Sequence, residues 1–376
     1  MTERASVIVA LSGGVDSAVA ALLLQRAGYD VQCLHMTNWE DDGYCEAAQD
    51  YRDARAVCAE LGVPLHRVNF AREYHEQVFA HFLNEHRAGR TPNPDVLCNR
   101  QIKFGVLRAY ARRLGTPLLA TGHYARLELR SGRPVLLKAR DRGKDQSYFL
   151  HAVRNEDFRD VLFPIGEHVK SEVRRIAGAA RLPVADKKDS TGICFIGERP
   201  FEEFLSRYLP RNPGPIRTPE GVELGSHHGL AFYTLGQRHG LVLGGRKGFG
   251  PAPWYVAGKV AEDNALIVVQ GRDHPLLYHD GLRATALTWI GDVPPVLGRG
   301  ASLRCAAKTR YRQPDAACSV TLVGETDVEV TFDAPQRAIT PGQYVVFYDG
   351  EQCLGGATIV TSELRERIRV PAVQAH

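Results

Sequence analysis

The sequence predicts an α/β protein with a mostly parallel sheet in its first half and a small antiparallel barrel or sandwich at its end. Three observations carry this. Short β-branched runs alternate with amphipathic stretches up to about residue 125, the pattern of parallel strands joined by crossover helices. After about Phe195 the chain becomes dense in Gly and Pro, as in Asn212-Pro213-Gly214-Pro215 and Gly244-Gly245-Arg246-Lys247-Gly248, and long helices do not survive there. From Gly281 onward only short β-like segments remain, separated by turns such as Asp349-Gly350.

In order, Ser6–Leu11 reads as a buried strand and Asp16–Ala27 as a helix with Val19, Leu22 and Leu23 on one face. Val31–Met36 is a second strand. Glu46–Leu61 is a helix ended by Gly62, and Leu65–Asn69 a third strand. Asn99–Leu114 reads as a helix stopped by Gly115, with Leu118–Thr121 as the next strand. The late strands are Ala301–Ala306, Ser319–Leu322, Val328–Phe332, Tyr344–Tyr348 and Ala357–Val360.

The 376 residues suffice for two or three domains with real cores. No run of eighteen apolar residues occurs, so no membrane span is expected. Only Met1–Ala5 precede the first strand, so no secretory leader is expected and a cytoplasmic setting with reduced thiols follows. The eight cysteines contain no Cys-x-x-Cys pair, which argues against a zinc ribbon. With 47 Lys+Arg against 43 Asp+Glu the net charge of +4 names no partner. The basic residues nevertheless gather in three runs, Leu97–Gly115, Arg130–Lys144 and Arg299–Arg312, while 40–53 is acidic. Such runs fit either solvated faces or a polyanion footprint.

Ser12-Gly13-Gly14-Val15-Asp16-Ser17 lies between the first strand and the first helix, where open α/β sheets bind ligands. Its glycines permit close backbone approach, and free amides at a helix start attract anions. The competing reading is a plain turn with Asp16 as N-cap. The Walker lysine is absent, which argues against P-loop phosphoryl transfer. This hexapeptide resembles the PP-loop of ATP pyrophosphatases, which cleave ATP between its α and β phosphates.

Two cysteines stand out by their neighbours. Asn93-Pro94-Asp95-Val96-Leu97-Cys98-Asn99 sets a carboxylate three residues before a thiol beside Arg100 and Lys103, which makes Cys98 the best candidate nucleophile and Asp95 a candidate proton carrier. Cys194 follows Lys187-Lys188 and a Ser190-Thr191-Gly192 turn. Buried structural thiols, or an iron–sulfur cluster on Asp95, Cys98 and Cys194, are the alternatives.

Taken together, these motifs closely resemble the tRNA-specific 2-thiouridylase (MnmA) family from about Val7 to Val360. The likeness includes His35-Met36-Thr37-Asn38-Trp39-Glu40, Thr91–Asn99, Ala120-Thr121-Gly122-His123-Tyr124 and Lys144–Leu150. It continues through Tyr233–Gly240, Lys308-Thr309-Arg310-Tyr311-Arg312 and Ile339-Thr340-Pro341-Gly342-Gln343. Ala10, Leu11 and Ala18 depart from the residues usual there.

The resemblance implies a PP-loop domain (1–203), a small central domain (204–275), a C-terminal antiparallel β-barrel (276–361) and a tail (362–376). It implies ATP-dependent 2-thiolation of the wobble uridine in tRNAs of the Lys, Glu and Gln type. ATP, with Mg2+, would lie on Ala10, Leu11, Ser12, Gly13, Gly14, Val15, Asp16 and Ser17, with Met36 and Gly122 also in contact. Cys98 carries over as nucleophile and Cys194 as persulfide holder, the two ending as a disulfide. Asn93, Pro94 and Asp95 would meet the target base. His123, Lys144, Asp145, Gln146, Arg310, Tyr311 and Gln343 would touch the tRNA. A persulfide donor, either a cysteine desulfurase or a sulfur-relay protein, and a monomeric state are further expectations. The competing classes are a small-molecule adenylating enzyme (amidotransferase or argininosuccinate-type synthetase) and a non-catalytic RNA-binding module.

Overall fold

The computed structural model describes residues 4–40, 46–189, 196, 199–244, 248–297 and 301–362; the Cys194 motif and the tail lie outside them. The first half supplies β1 (Ser6–Ala10), β2 (Asp30–Thr37), β3 (Leu65–Asn69) and β4 (Leu118–Thr121), then a hairpin of β5 (Ala125–Arg130) and β6 (Arg133–Lys138), then β7 (Val161–Leu162). Five of these form a parallel sheet in the order β3-β2-β1-β4-β7. Val7, Ile8 and Val9 are fully buried, as a β-branched run covered on both faces requires. The order reverses beside β1, so a crevice opens at the carboxyl ends of β1 and β4.

Helix α1 (Val15–Arg26) departs from the amphipathic expectation. Leu23 is only partly buried, whereas Ala18, Ala20, Ala21 and Leu24 are buried. The helix is covered almost all round by the sheet and, in the same cluster, by Val173 and Ala177. Its alanines permit that approach. Helix α2 (Glu46–Leu61) falls where expected. The run formed by α3 (Ala71–Tyr74), a π-helical turn (His75–Phe79) and α4 (Ala80–Arg87) was not foreseen.

The helix expected from Asn99 starts five residues earlier. It runs as α5 (Pro94–Leu97), a π-helical stretch (Cys98–Leu107) and α6 (Arg108–Arg113). The Asn93 side chain accepts the Asp95 amide at 3.1 Å, and Pro94 occupies the first turn, where a missing N–H costs nothing. Asp95 and Cys98 thus lie three residues apart on one helix face. Beyond it come α7 (Ser147–Leu150), α8 (Lys170–Ala179) and α9 (Phe201–Leu205).

The Gly/Pro-rich region holds β8 (Gly214–Arg217) and β9 (Glu223–His227), which join β10 (Trp254–Val260) and β11 (Ala265–Gln270) in a sheet ordered β10-β11-β8-β9. The last section resolves the barrel-or-sandwich question. Strands β12 (Tyr278–Trp289), β13 (Leu303–Lys308), β14 (Ala316–Leu322), β15 (Val328–Arg337), β16 (Tyr344–Asp349) and β17 (Gln352–Ser362) form a closed barrel, because β12 pairs with both β15 and β17. The β5–β6 hairpin extends this sheet through Leu137 opposite Gln352.

The three parts meet at Thr91. Its N–H donates to Pro341 O at 2.9 Å, its carbonyl accepts Gln343 Nε2 at 2.7 Å, and its hydroxyl lies 3.2 Å from that of Thr234. Gly342 has φ +90°, and a Cβ there would fall 2.9 Å from Thr91 N. Two buried histidines reinforce the junctions. His86 Nδ1–H donates to Ala231 O at 3.0 Å, and His151, bonded to Tyr148 O at 2.7 Å, packs on Gly356.

Burial brings the pKa of both histidines down to about 4, outweighing the backbone bonds that oppose the shift. Between pH 6.5 and 4 the unfolded chain therefore takes up protons that the folded chain refuses. Stability is fully present above about pH 6.5 and falls as pH drops toward 4, by up to roughly 3 kcal/mol per histidine. Thermal denaturation should show a flat Tm from pH 8 to 7 and a decline below 6.5. His86→Asn, which keeps the donor to Ala231, should reduce that decline; an unchanged slope in the variant would contradict the assignment.

Candidate active site

The loop after β1 is held from both sides. Leu11 N–H donates to Leu34 O at 2.9 Å, and the Leu11 carbonyl accepts His35 Nδ1–H at 2.9 Å. Burial lowers the His35 pKa, although its bond to Leu11 opposes this, so a neutral ring clamps the loop. Within it, Ser17 Oγ accepts the Ser12 amide at 3.2 Å and donates to Gly14 O at 3.1 Å. Gly13 has φ +86°, and a Cβ there would strike Asp50 O at 2.3 Å. Gly122, after β4, sits so close that its Cβ would lie 2.7 Å from Ser17 N. Both glycines serve internal packing. At Gly14 a Cβ would meet only Ser12 Oγ, at 3.5 Å, so the open side of the cradle is there.

Asp16 is not the N-cap that the turn reading requires. The N-cap is Gly14, with no side-chain cap bond, and the first intrahelical bond runs from Ala18 N–H to Gly14 O. The amides of Val15, Asp16 and Ser17 thus have no partner within the helix and lie at the positive end of its dipole. Asp16 instead accepts from Tyr124 Oη at 2.8 Å and from Lys170 Nζ at 2.6 Å. These features fit the phosphates of a nucleotide, which supply the acceptors that no side chain provides.

Cations crowd this rim. Asp189 is bonded by Lys144 (2.8 Å), Lys170 (2.8 Å) and Arg174 (2.7 Å). Burial would raise its pKa, but the hydrogen bonds and charges of Lys144 and Lys170 prevail and hold it at about 2. Lys187 Nζ reaches Gly13 O at 3.1 Å, Asp50 at 2.7 Å and Asp53 at 2.5 Å, pinning α2 to the loop. Sequence reading missed Lys170, Arg174, Tyr124 and His35 as site residues, because contacts such as Lys170–Asp16 span 154 positions with no periodic signal.

Cys98 is buried at the start of its π-helical stretch, among the aromatic residues of the main core. The next residue, Asn99, donates through Nδ2 to Phe149 O at 3.1 Å. The Phe149 ring packs on Tyr311 at 4.4 Å between centroids, and Tyr311 Oη donates to Lys144 O at 3.3 Å. The structure thereby gathers Asn93–Cys98, Lys144–Phe149, Arg310–Tyr311 and Gln343 into one belt. Among the described residues no His, Cys, Asp and Glu side chains converge as a metal-holding group.

Several residues expected to touch tRNA spend their side chains inside the protein. Asp145 is buried and accepts from the Ala139 amide and the Ser147 hydroxyl. His123 is buried between Thr121 Oγ1 (2.7 Å) and Lys103 Nζ (3.4 Å), and burial pulls its pKa well down. Gln146 Oε1 accepts the Tyr124 amide at 2.9 Å. Arg310 Nη2 donates to Leu235 O, Ala338 O and Thr340 Oγ1 at 2.7–2.9 Å. Gln343 holds Thr91. Much of the charge in the basic runs is paired within the chain. Lys138 bonds Asp315, Arg142 bonds Glu351, Arg108 and Arg112 share Asp160, and Arg304 pairs with Asp333.

The strand order, the crevice and the uncapped glycine loop define an adenine-nucleotide domain of the PP-loop type. Comparison with known proteins agrees: residues 5–198 match the "tRNA methyl transferase HUP domain", 202–270 the "tRNA methyl transferase PRC-barrel domain" and 279–359 the "Aminomethyltransferase beta-barrel domain". The tRNA-specific 2-thiouridylase MnmA of Methylococcus capsulatus is 58% identical over 356 residues, covering 94% of this chain and 95% of that protein. Its counterpart from Chromohalobacter salexigens is 56% identical over 361 residues, covering 95% and 93%. The chain belongs to the tRNA-specific 2-thiouridylase MnmA family. Among the described residues no helix is long and apolar enough to cross a membrane.

The two loop glycines should separate in experiment. Gly13→Ala forces a side chain into left-handed backbone against Asp50 and should cost about 2–4 kcal/mol, read as a fall in Tm. Gly14→Ala should leave Tm within a few degrees yet weaken ATP binding by about tenfold or more in a calorimetric titration. Equal stability losses in both variants would contradict this geometry.

Proposed function

We propose that this protein replaces the 2-oxygen of the wobble uridine in tRNAs of the Lys, Glu and Gln type with sulfur, consuming ATP. The observation that carries the reading is the uncapped start of α1 beside a cationic rim, in a chain of this family. The uridine 2-carbonyl is a poor electrophile because oxide is a poor leaving group. Attack of that oxygen on the α-phosphorus of ATP expels pyrophosphate and turns the oxygen into part of a leaving AMP. Donors aimed at the phosphates from Gly14–Ser17 stabilise the charge that develops there. Ala10–Ser17, Met36 and Gly122 form the ATP site in this reading, with Mg2+ accompanying the phosphates.

Sulfur arrives as a persulfide on Cys194. Its terminal sulfur attacks C2, and AMP departs with the former uridine oxygen. The Cys98 thiolate then attacks Cys194 Sγ. The Cys194 sulfur–sulfur bond to the base breaks, the electron pair stays on the sulfur bound to C2, and a Cys98–Cys194 disulfide forms. A thiol reductant restores both cysteines. Asp95, on the same helix face as Cys98, carries the proton, and Asn93 and Pro94 meet the base. Lys144 and the belt of His123, Asp145, Gln146, Arg310, Tyr311 and Gln343 form the tRNA-facing frame. We assign the persulfide to a cysteine desulfurase or sulfur-relay donor, the protein to the cytoplasm as a monomer, and the domains to 1–203, 204–275 and 276–361 with a tail at 362–376. An iron–sulfur cluster is not part of this scheme.

Nucleosides from tRNA incubated with protein, ATP and a persulfide donor should contain 2-thiouridine by mass spectrometry. Cys98→Ala and Cys194→Ala should each abolish it while tRNA binding stays within about threefold. Full activity of the Cys194 variant would sink the scheme.

A further inference from the structure

Cys305 and Cys318 have no part in the sulfur transfer above, yet they face each other across two strands of the barrel. They are direct partners in the β13–β14 ladder, and their sulfurs lie 3.8 Å apart. Directly opposed residues of antiparallel strands have Cα atoms about 4.5–5.5 Å apart, inside the roughly 4.4–6.8 Å span that a disulfide bridges. The register is firmly held at this point. Arg304, one residue earlier, donates to Ser319 Oγ of β14 at 3.1 Å and to both carboxylate oxygens of Asp333 in β15.

The two thiols differ in access. Cys318 is buried in the barrel core with Val320 and Phe332, and Cys305 packs against that core only partly buried. Cys33 and Cys58 also share a hydrogen bond, but both are buried, so a reagent in solution does not reach that pair. Its hydrogen bond to Cys305, and then burial, push the Cys318 thiol up, so Cys318 keeps its proton while Cys305 meets the reagent. Between the two cysteines the chain runs through the 309–315 turn. There Arg310 reaches Leu235 O at 2.7 Å, and the Tyr311 ring packs on Phe149. A bond at the foot of this hairpin would tie the segment that joins the barrel to the belt.

We propose that Cys305 and Cys318 form a reversible modification site, which a small-molecule disulfide oxidises to a cross-strand bond that locks the hairpin carrying Arg310 and Tyr311. The Cys305 thiolate attacks one sulfur of the reagent, whose sulfur–sulfur bond breaks, and the departing thiolate takes the electron pair. Cys318, giving up its proton to a released thiolate, attacks Cys305 Sγ and expels the second thiol. Two electrons pass from the protein dithiol to the reagent, and two small thiols leave.

The folded full-length protein is incubated with glutathione disulfide, its remaining thiols are alkylated, and its peptides are mapped by mass spectrometry. The peptides holding Cys305 and Cys318 should appear cross-linked, and dithiothreitol should release them. Cys318→Ser should stop at a single glutathione adduct on Cys305, and Cys305→Ser should leave Cys318 unmodified. Amide exchange across 309–315 should slow about threefold or more in the oxidised protein, because the bond suppresses local opening. Should either variant not fold, the wild-type map and its exchange rates still decide. Free thiols at both positions, a lasting adduct on wild-type Cys305 without the cross-link, or a cross-link that leaves exchange unchanged would each overturn the proposal.

Discussion

The backbone of Thr91 fixes where the Cys98 helix begins. Its amide and carbonyl are both taken by the 341–343 turn of the barrel, and its hydroxyl meets Thr234 of the middle sheet. Asn93 then caps the helix, Pro94 enters its first turn, and Cys98 comes one turn later. Each step is a local rule of helix initiation, but the starting point is set by contacts from residues some 250 positions away. The thiol is therefore placed by the assembly of all three parts, not by the N-terminal domain alone. Removing the barrel would leave the cap sequence intact and its anchor missing.

The second organising feature is what α1 lacks. A side-chain cap on Gly14 would satisfy the helix and close the crevice to anions. Its absence, together with Asp16 being drawn away by Tyr124 and Lys170, leaves the first-turn amides without a side-chain partner from the cap. The surrounding charge is poised, since Asp16 and Asp189 balance most of the nearby cations, which limits electrostatic repulsion before a nucleotide arrives. This resembles the wider pattern of the chain. Many of the basic residues that the sequence displays in runs are matched by acids far away in sequence, as Lys138 is by Asp315.

Legibility followed the range of the interactions. The strands of the parallel sheet and α2 were readable, because buried β-branched runs and a 3.6-residue period are local signals. The glycine loop was readable because its position between strand and helix has a chemical meaning. Apolar periodicity puts the start of the Cys98 helix too late, because the Asn93–Pro94 cap that begins it carries no apolar signal. Helix α1 looked amphipathic because its alanines do not register as core until α8 is seen against them. The barrel was distinguishable from a sandwich only through the β12–β17 pairing that closes it. Lys170 and Arg174 carry no sequence signal at all, as their meaning lies in two aspartates from other segments.

The most direct test follows one oxygen atom. Substrate tRNA carrying oxygen-18 at O2 of the wobble uridine is incubated with the protein, ATP and a persulfide donor, and the AMP is weighed by mass spectrometry. The account predicts AMP two mass units heavier, in a one-to-one ratio with the 2-thiouridine formed. Unlabelled AMP, or ADP and phosphate in its place, would contradict activation of the uridine oxygen at the start of α1.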